Sequence, residues 1–413
     1  MIRYTMAALA LLPASAAGQT VHTVTGADPT PSYEVQEGDT LVLRKAMGRE
    51  LKADGTRDRK FSVWIDRANG RGWEMSGASR LALVGYDPTQ GWVYKPVDAK
   101  PAPVAATLFG ANLSGAEASG GDAVRPSLED FKGYIERYGF KLLRYPFKDY
   151  RMTPARIAEL KVNVAYAGSK GVPVILDNHT YRWDTPDKAI AFWTEFARNF
   201  PDDGSVILDL VNEPRGFDDP MLTNDWMQWA RDSKLIIAGL RANGIKHPIA
   251  LEWPQWSATF RFDKKEAAWK ACESAGCALD RDTSGPLDPL NRTYLNGHRY
   301  WDKGSSGTSQ SCDTTWGEGS GLDDFAAQLR KRGLKGIVTE AAFGASFGIK
   351  DNCKNIGKNA IADMKDNADV LYGITWWGGG RIWPESYLFK IDGKKATRYT
   401  MPLNPYLVQL TGR

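Results

Sequence analysis

SVILDLVNEPRG, Ser205 to Gly216, decides how the rest of the chain is read. A run of β-branched and aliphatic residues ends in Asn212 and the acid Glu213, and Pro214 then denies the strand a backbone donor. Apolar runs are usually closed by turn residues. An Asn-Glu pair at the last strand position is a less common ending and asks for a chemical reason.

Outward from this stretch the same pattern recurs. Strand-like runs are TLFGANLSG (107–115), FKLLRYPF (140–147), VPVILDNH (172–179), HPIALEW (247–253), YLNGHRYW (294–301), KGIVTEAAF (335–343) and LYGITWWGG (371–379). Amphipathic segments lie between them: SLEDFKGYIERYG, PARIAELKVNVAYAGSKG, DKAIAFWTEFARNF, NDWMQWARDSKLIIAGLRANG and DDFAAQLRKRG. Eight strands alternating with helices predict an α/β fold, a (β/α)8 TIM barrel over residues 106–413. A doubly wound sheet is the rival, but no Gly-rich phosphate loop follows the first strand.

Residues 18–98 have a different texture. DTLVLRK, KFSVWID, RLALVGYD and GWVYKPV are short alternating segments divided by Gly-, Asp- and Asn-rich turns, so a small β-rich N-terminal module is expected there. A Pro/Ala linker, 99–105, follows. Residues 1–17 read as a secretory signal, with Arg3, a short apolar run and small residues Ala14-Ser15-Ala16. That run is too short to span a bilayer, and nothing later reaches about 18 uninterrupted apolar residues. A secreted or periplasmic protein, with no membrane segment after signal removal, is expected.

The chain of 413 residues is 25% charged and 42% hydrophobic, ordinary globular material with enough apolar content for a large core. Its formal net charge of +4 is small and spread out, which argues against nucleic acid as a partner. Fifteen tryptophans are more telling, because flat apolar rings beside polar groups suit sugar rings. In an exported chain the four cysteines allow three pairings, of which Cys272–Cys277 with Cys312–Cys353 is expected. Metal binding is the poorer interpretation, since there is no paired CxxC spacing and only four histidines.

Barrel chemistry gathers at the C-terminal strand ends. Those ends carry Arg144, His179, Asn212 with Glu213, His298 with Tyr300, Glu340 and Trp377 in order. Turn chemistry does not explain so many polar ends around two glutamates. Two facing carboxyls are what glycoside cleavage needs, one to protonate the leaving oxygen and one to attack or activate water.

The catalytic region resembles glycoside hydrolase family 5, and in particular its secreted endo-β-1,4-glucanases well known from fungi. The matches run in order: FGANLSGAE, GFKLLRYPF, LDNHTYRW, LDLVNEP, HRYWDKGSSGTSQSC, GIVTEAAFG and YGITWWGGG. Cys353 falls where the family places the partner of the cysteine in the fifth of these, Cys312. The resemblance implies that Glu213 is the acid/base and Glu340 the nucleophile of a retaining enzyme. It implies that Asn212 bonds the 2-hydroxyl of the −1 sugar, that Arg144 and Tyr300 position and ionise Glu340, and that His298 contacts Glu213. His179 would line the −1 subsite and Trp377 would be the platform beneath its sugar. Trp376 is the weaker platform, because alternation points it to the other face.

Departures from the family pattern are Asn178 and Thr180 in LDNHTY, Arg215 after NEP, and Trp253-Pro254 in LEWPQWSA, although Trp256 matches an aromatic. They bear on which glycan is bound. The expected activity is an endo-β-1,4-glucanase on cellulose-like chains, a monomer with no metal or organic cofactor. The alternatives are the same mechanism on mannan, xyloglucan or a bacterial exopolysaccharide and, more distantly, a non-catalytic polysaccharide-binding barrel. The N-terminal module is either a carbohydrate-binding unit using Trp64, Trp73 and Trp92 or a structural cap.

Overall fold

In the computed structural model all eight apolar runs become strands and close on themselves. The structure describes the backbone of the strands between His22 and Pro96, and residues 107–412 apart from 120–122, 215–224, 265–266, 268, 310, 313–318, 343–350, 385 and 393–409. The expected signal (1–17), the linker up to 105, the side chains of Trp64, Trp73 and Trp92, and Arg215 lie outside the described residues.

The chain divides into two compact units, 1–103 and 104–413. Among the described residues the first holds seven strands: β1 (His22–Val24), β2 (Leu43–Met47), β3 (Glu50–Ala53), β4 (Ser62–Asp66), β5 (Arg71–Glu74), β6 (Arg80–Asp87) and β7 (Gly91–Pro96). They form one antiparallel sheet, ordered β1-β7-β6-β5-β4-β3-β2. From β2 to β7 it is a meander, each strand beside its successor.

In the second unit the barrel strands are β8 (Leu108–Asn112), β9 (Leu142–Phe147), β10 (Val174–Asn178), β11 (Val206–Asp209), β12 (Ile249–Leu251), β13 (Thr293–Tyr300), β14 (Lys335–Ala342) and β15 (Leu371–Trp376). All neighbours are parallel, and β15 pairs with β8 to shut the ring. The helices are α1 (Leu128–Lys132), which runs on into a wider turn to Arg137, α2 (Pro154–Ser169), α3 (Pro186–Ala197), α4 (Trp226–Ala242), α5 (Ala275–Arg281), α6 (Leu322–Arg332) and α7 (Asp351–Asp366). Local chemistry sets their ends. Thr153 caps α2 ahead of Pro154, Asp225 accepts from the Gln228 N–H to start α4, and Gly333 at φ 66° ends α6.

Alternation along each strand sorts the core. Leu143, Leu176, Leu208, Leu251 and Val338 point outward into the apolar layer under the helices. Leu142, Ile175, Ile207, Ala250 and Ile337 point inward and fill the bottom of the barrel as a separate cluster. Two residues further along, the same inward face carries Arg144, Asp177, Asp209 and Glu252, and Asn296 and Thr339 join them. The middle of the barrel is therefore a polar layer beneath the mouth.

Two expectations are corrected. Strand β11 stops at Asp209, so Asn212 and Glu213 lie past the strand rather than at its last position. Its neighbour β12 is only three residues long and pairs with β11 at Leu208 and Asp209, the last bond running from the Leu210 N–H to the Ala250 carbonyl at 3.3 Å. Arg144 and Glu340, conversely, sit inside their strands. Helices α5 and α7 were not among the expected segments.

Candidate active site

The polar layer is organised around one guanidinium. Arg144, with no solvent exposure, lies 3.1 Å from Asp177, 3.1 Å from Asp209, 3.2 Å from Glu252 and 2.6 Å from Glu340. It also donates to Asn112 Oδ1 at 3.2 Å and to Asn212 Oδ1 at 2.7 Å. A cation this deep persists only because acceptors surround it. Its charge supports what stands above it.

Glu340 receives that support. Nη1 of Arg144 donates to Oε1, and the Tyr300 hydroxyl donates to Oε2 at 2.8 Å. Burial pushes the Glu340 carboxyl up, but His298, Arg144, His179 and the Tyr300 hydrogen bond outweigh it and hold its pKa at about 2. Burial and the Glu340 charge push Tyr300 well above the usual phenol range, so it remains a donor. Glu340 is a buried anion at neutral pH.

Glu213 is displaced in the opposite direction. Burial raises its pKa, the His298 hydrogen bond pulls it down, and repulsion from Glu340 and Glu252 raises it again, leaving it above the usual carboxylate range. His298 Nδ1 is 3.0 Å from Glu213 Oε1, and the ring's other nitrogen is 3.1 Å from Glu252 Oε1. Glu213 itself has φ +40°, a conformation that non-glycine residues adopt at a cost. Two carboxyls pushed apart in pKa in one small space are an acid and an anion.

The three side chains Glu213, His298 and Glu340 each bring one atom within 4.8 Å of the others, the composition of a metal site. The donor chemistry does not fit one. Burial lowers the His298 pKa, but Glu252, Glu340 and the hydrogen bonds to Glu213 and Glu252 outweigh it and raise it well above the histidine range. A doubly protonated imidazole has no lone pair to offer.

Asn212 is 1% exposed, and with Oδ1 turned to Arg144 its amide nitrogen is buried with no hydrogen-bond partner among the described residues. His179 bonds Asp177 at 2.7 Å through Nδ1 and stacks on Trp377, ring centroids 5.9 Å apart and planes 13° from parallel. Trp377 is partly exposed, whereas Trp376 is buried and donates to the Leu410 carbonyl at 2.7 Å, as alternation requires. Trp256 is 44% exposed on the loop after β12 and stands outside this contact network among the described residues. In that loop Gln255, Trp256 and Ser257 all have positive φ, and the Ser257 carbonyl accepts the His298 N–H at 2.7 Å.

The SGTS loop that follows β13 also has a physical role. The Asp302 carboxylate accepts the backbone N–H groups of Gly307, Thr308 and Ser309 at 3.0, 2.9 and 2.9 Å, closing the loop over Tyr300. A Cβ at Gly307, φ +71°, would sit 3.0 Å from the Tyr300 ring. The disulfides join Cys272 to Cys277 and Cys312 to Cys353, with Cα–Cα distances of 5.5 and 5.4 Å.

The sequence model described as Cellulase (glycosyl hydrolase family 5) matches residues 97–380. The chain belongs to glycosyl hydrolase family 5. Among relatives of this family 5 enzyme, Endoglucanase gh5-1 of Neurospora crassa is 27% identical over 283 residues, 64% of this chain and 66% of that protein. Endo-beta-1,4-glucanase A of Emericella nidulans is 25% identical over 335 residues, 75% of this chain and 94% of that protein. The structure of an endo-beta-1,4-glucanase from Xanthomonas axonopodis pv. citri, a triple mutant, superposes with a TM-score of 0.62 at 25% identity, over 74% of this chain and 98% of that one.

The family 5 enzyme also carries residues that strand-end reasoning did not select. Asp177, Asp209, Glu252, Asn112, Asn296 and Thr339 build the polar layer. Trp383 and Tyr387 form an aromatic wall behind Trp377: Trp383 meets Trp377 edge to face at 5.6 Å and stacks on Tyr387 at 4.0 Å. Their signal was the run RIWPESYLF after the Gly378-Gly379-Gly380 turn.

Proposed function

We propose that this glycoside hydrolase is an exported, monomeric, retaining endo-β-1,4-glucanase, with Glu340 as nucleophile and Glu213 as acid/base. The observation that carries the proposal is the spacing of the two carboxyls, an oxygen of each within 4.8 Å, together with their opposite pKa displacements. Retaining enzymes place the pair about 5–5.5 Å apart, whereas inverting ones need about 6.5–9.5 Å to fit a water.

In the first step a Glu340 oxygen attacks the anomeric carbon while Glu213 gives its proton to the departing glycosidic oxygen. In the second, Glu213, now a carboxylate, takes a proton from water as that water displaces Glu340. Arg144 and Tyr300 keep the nucleophile charged, and the unpartnered Asn212 amide offers a hydrogen bond to a sugar hydroxyl. Trp377 gives the sugar an apolar face. All of these groups come from one chain.

Endo-β-1,4 action is favoured by relatives named as endo-beta-1,4-glucanases and by a related solved structure, XacCel5A in complex with cellopentaose, which is 25% identical. Export is supported by the signal-like residues 1–17. Among the described residues no helix is long and apolar enough to cross a membrane. The test is hydrolysis of carboxymethyl cellulose, mixed-linkage glucan, mannan and xyloglucan, with the anomer followed by NMR. Fresh β-anomer from the two glucans supports the proposal. Fresh α-anomer, or release from mannan or xyloglucan alone, overturns it.

A further inference from the structure

We infer that Glu252 is a positioning residue for the acid/base, whose carboxylate holds both the Glu213 backbone and the His298 ring and so sets the pH at which Glu213 loses its proton. The inference rests on the assignment of Glu213 above.

Glu252 follows β12 directly and shares the inward face of Ala250, two residues earlier. The Trp229 indole on α4 donates to its carbonyl at 2.9 Å, which fixes its backbone. Its side chain is fully buried. Oε2 accepts the Glu213 N–H at 2.6 Å, where the backbone sits at φ +40°. Oε1 lies 3.1 Å from His298 Nε2, 3.2 Å from Arg144 Nη2 and 3.1 Å from Asn296 Nδ2. Each of these partners donates, so the carboxylate serves as a four-way acceptor.

The contact with the strained residue is direct. A carboxylate accepting an N–H is stronger than a neutral acceptor, and here it locks the one peptide that aims the Glu213 side chain. The contact with His298 acts through charge. Groups facing this pocket are Arg144 from β9, Asp177 from β10, Asp209 from β11, Glu213 beyond it, His298 from β13 and Glu340 from β14. Glu213 and His298 share a hydrogen bond and titrate as a pair. Removing a negative charge beside the pair favours ionisation of Glu213 and disfavours the proton on His298. Both routes bring the first proton loss to lower pH.

Glu252→Gln keeps the shape and an acceptor oxygen but removes the charge. It should move the basic limb of the kcat/KM profile down by about one pH unit or more, and slow cellooligosaccharides more than aryl glycosides with good leaving groups. Glu252→Asp, which keeps the charge, should restore part of the limb. A Glu252→Gln profile that matches the wild type, with only a lowered Tm, overturns the inference. Should Glu252→Gln not fold, the wild-type His298 ring decides. Its two nitrogens should both stay protonated well above the free value of about 6.5 in 15N spectra, and titration near that free value overturns the inference. Glu213→Ala separates the two assignments: if it cleaves oligosaccharides normally, the acid/base assignment itself has failed.

Discussion

Arg144 and Glu340 meet at 2.6 Å inside the barrel, the guanidinium with no solvent exposure and the carboxylate side chain with 6%. The pair joins the polar layer to the reaction centre. Its charge is in place before any sugar arrives, which is how an enzyme avoids reorganising its surroundings during the reaction.

Replacing Glu340 by Ala or Gly should lower hydrolysis by about a thousandfold or more, in a protein that still folds but lacks the stability its ionised carboxylate contributes. Added azide should restore cleavage of activated β-glycosides and leave an inverted, α-configured product. Near-normal turnover of Glu340→Ala, measured by reducing-end release, would remove Glu340 from the nucleophile role.

Replacing Glu213 by Ala removes the proton donor and leaves the nucleophile. Cleavage of cellooligosaccharides should fall about 10²–10⁴-fold, while aryl glycosides with good leaving groups should lose much less in the glycosylation step. Equal losses on both substrates, compared by pre-steady-state bursts, would count against the acid role.

Tyr300→Phe deletes one hydrogen bond to Glu340 and nothing else in the polar layer. A bond to a charged group is worth about 1.5–3 kcal/mol, so the acidic limb of kcat/KM should rise by about one to two pH units. The sign for stability follows from the depressed Glu340 pKa of about 2. Its contribution is present above the unfolded value, about 4.3, and fades as pH falls toward 2. Denaturant midpoints should show wild type ahead of Tyr300→Phe at pH 6 and the two converging at pH 2.

The cysteines 312 and 353 are 41 residues apart and pin the loop after β13 to α7. Their double replacement by Ser should cost about 2–4 kcal/mol in urea unfolding. The Cys272–Cys277 bridge spans only five residues and should cost less when removed.

The barrel was legible because each strand is an apolar run ended by polar residues, and the two glutamates because Glu213 stands just past such a run and Glu340 within the last three residues of another. Leu210 and Val211 extended the β11 run by composition alone. Both are buried, but only Leu210 reaches β12, through its N–H to the Ala250 carbonyl at 3.3 Å, and the short β12 carries the ladder no further. Helix α7 escaped notice because Lys, Asn and Asp surround its stripe of Ile356, Ala360 and Met364. Glu252 and Asp209 escaped for a different reason. An inward polar residue inside an apolar run looks like an interruption until alternation places it beside Arg144.

The three consecutive left-handed residues Gln255, Trp256 and Ser257 bear on the evolution of this enzyme. Each such residue is held at a cost of about 1–3 kcal/mol, and a glycine at 255 would relieve part of it. Laboratory selection for heat resistance alone should therefore drift toward glycine there. Selection that also scores turnover should resist the change, because the kinked segment ends at the carbonyl that anchors His298.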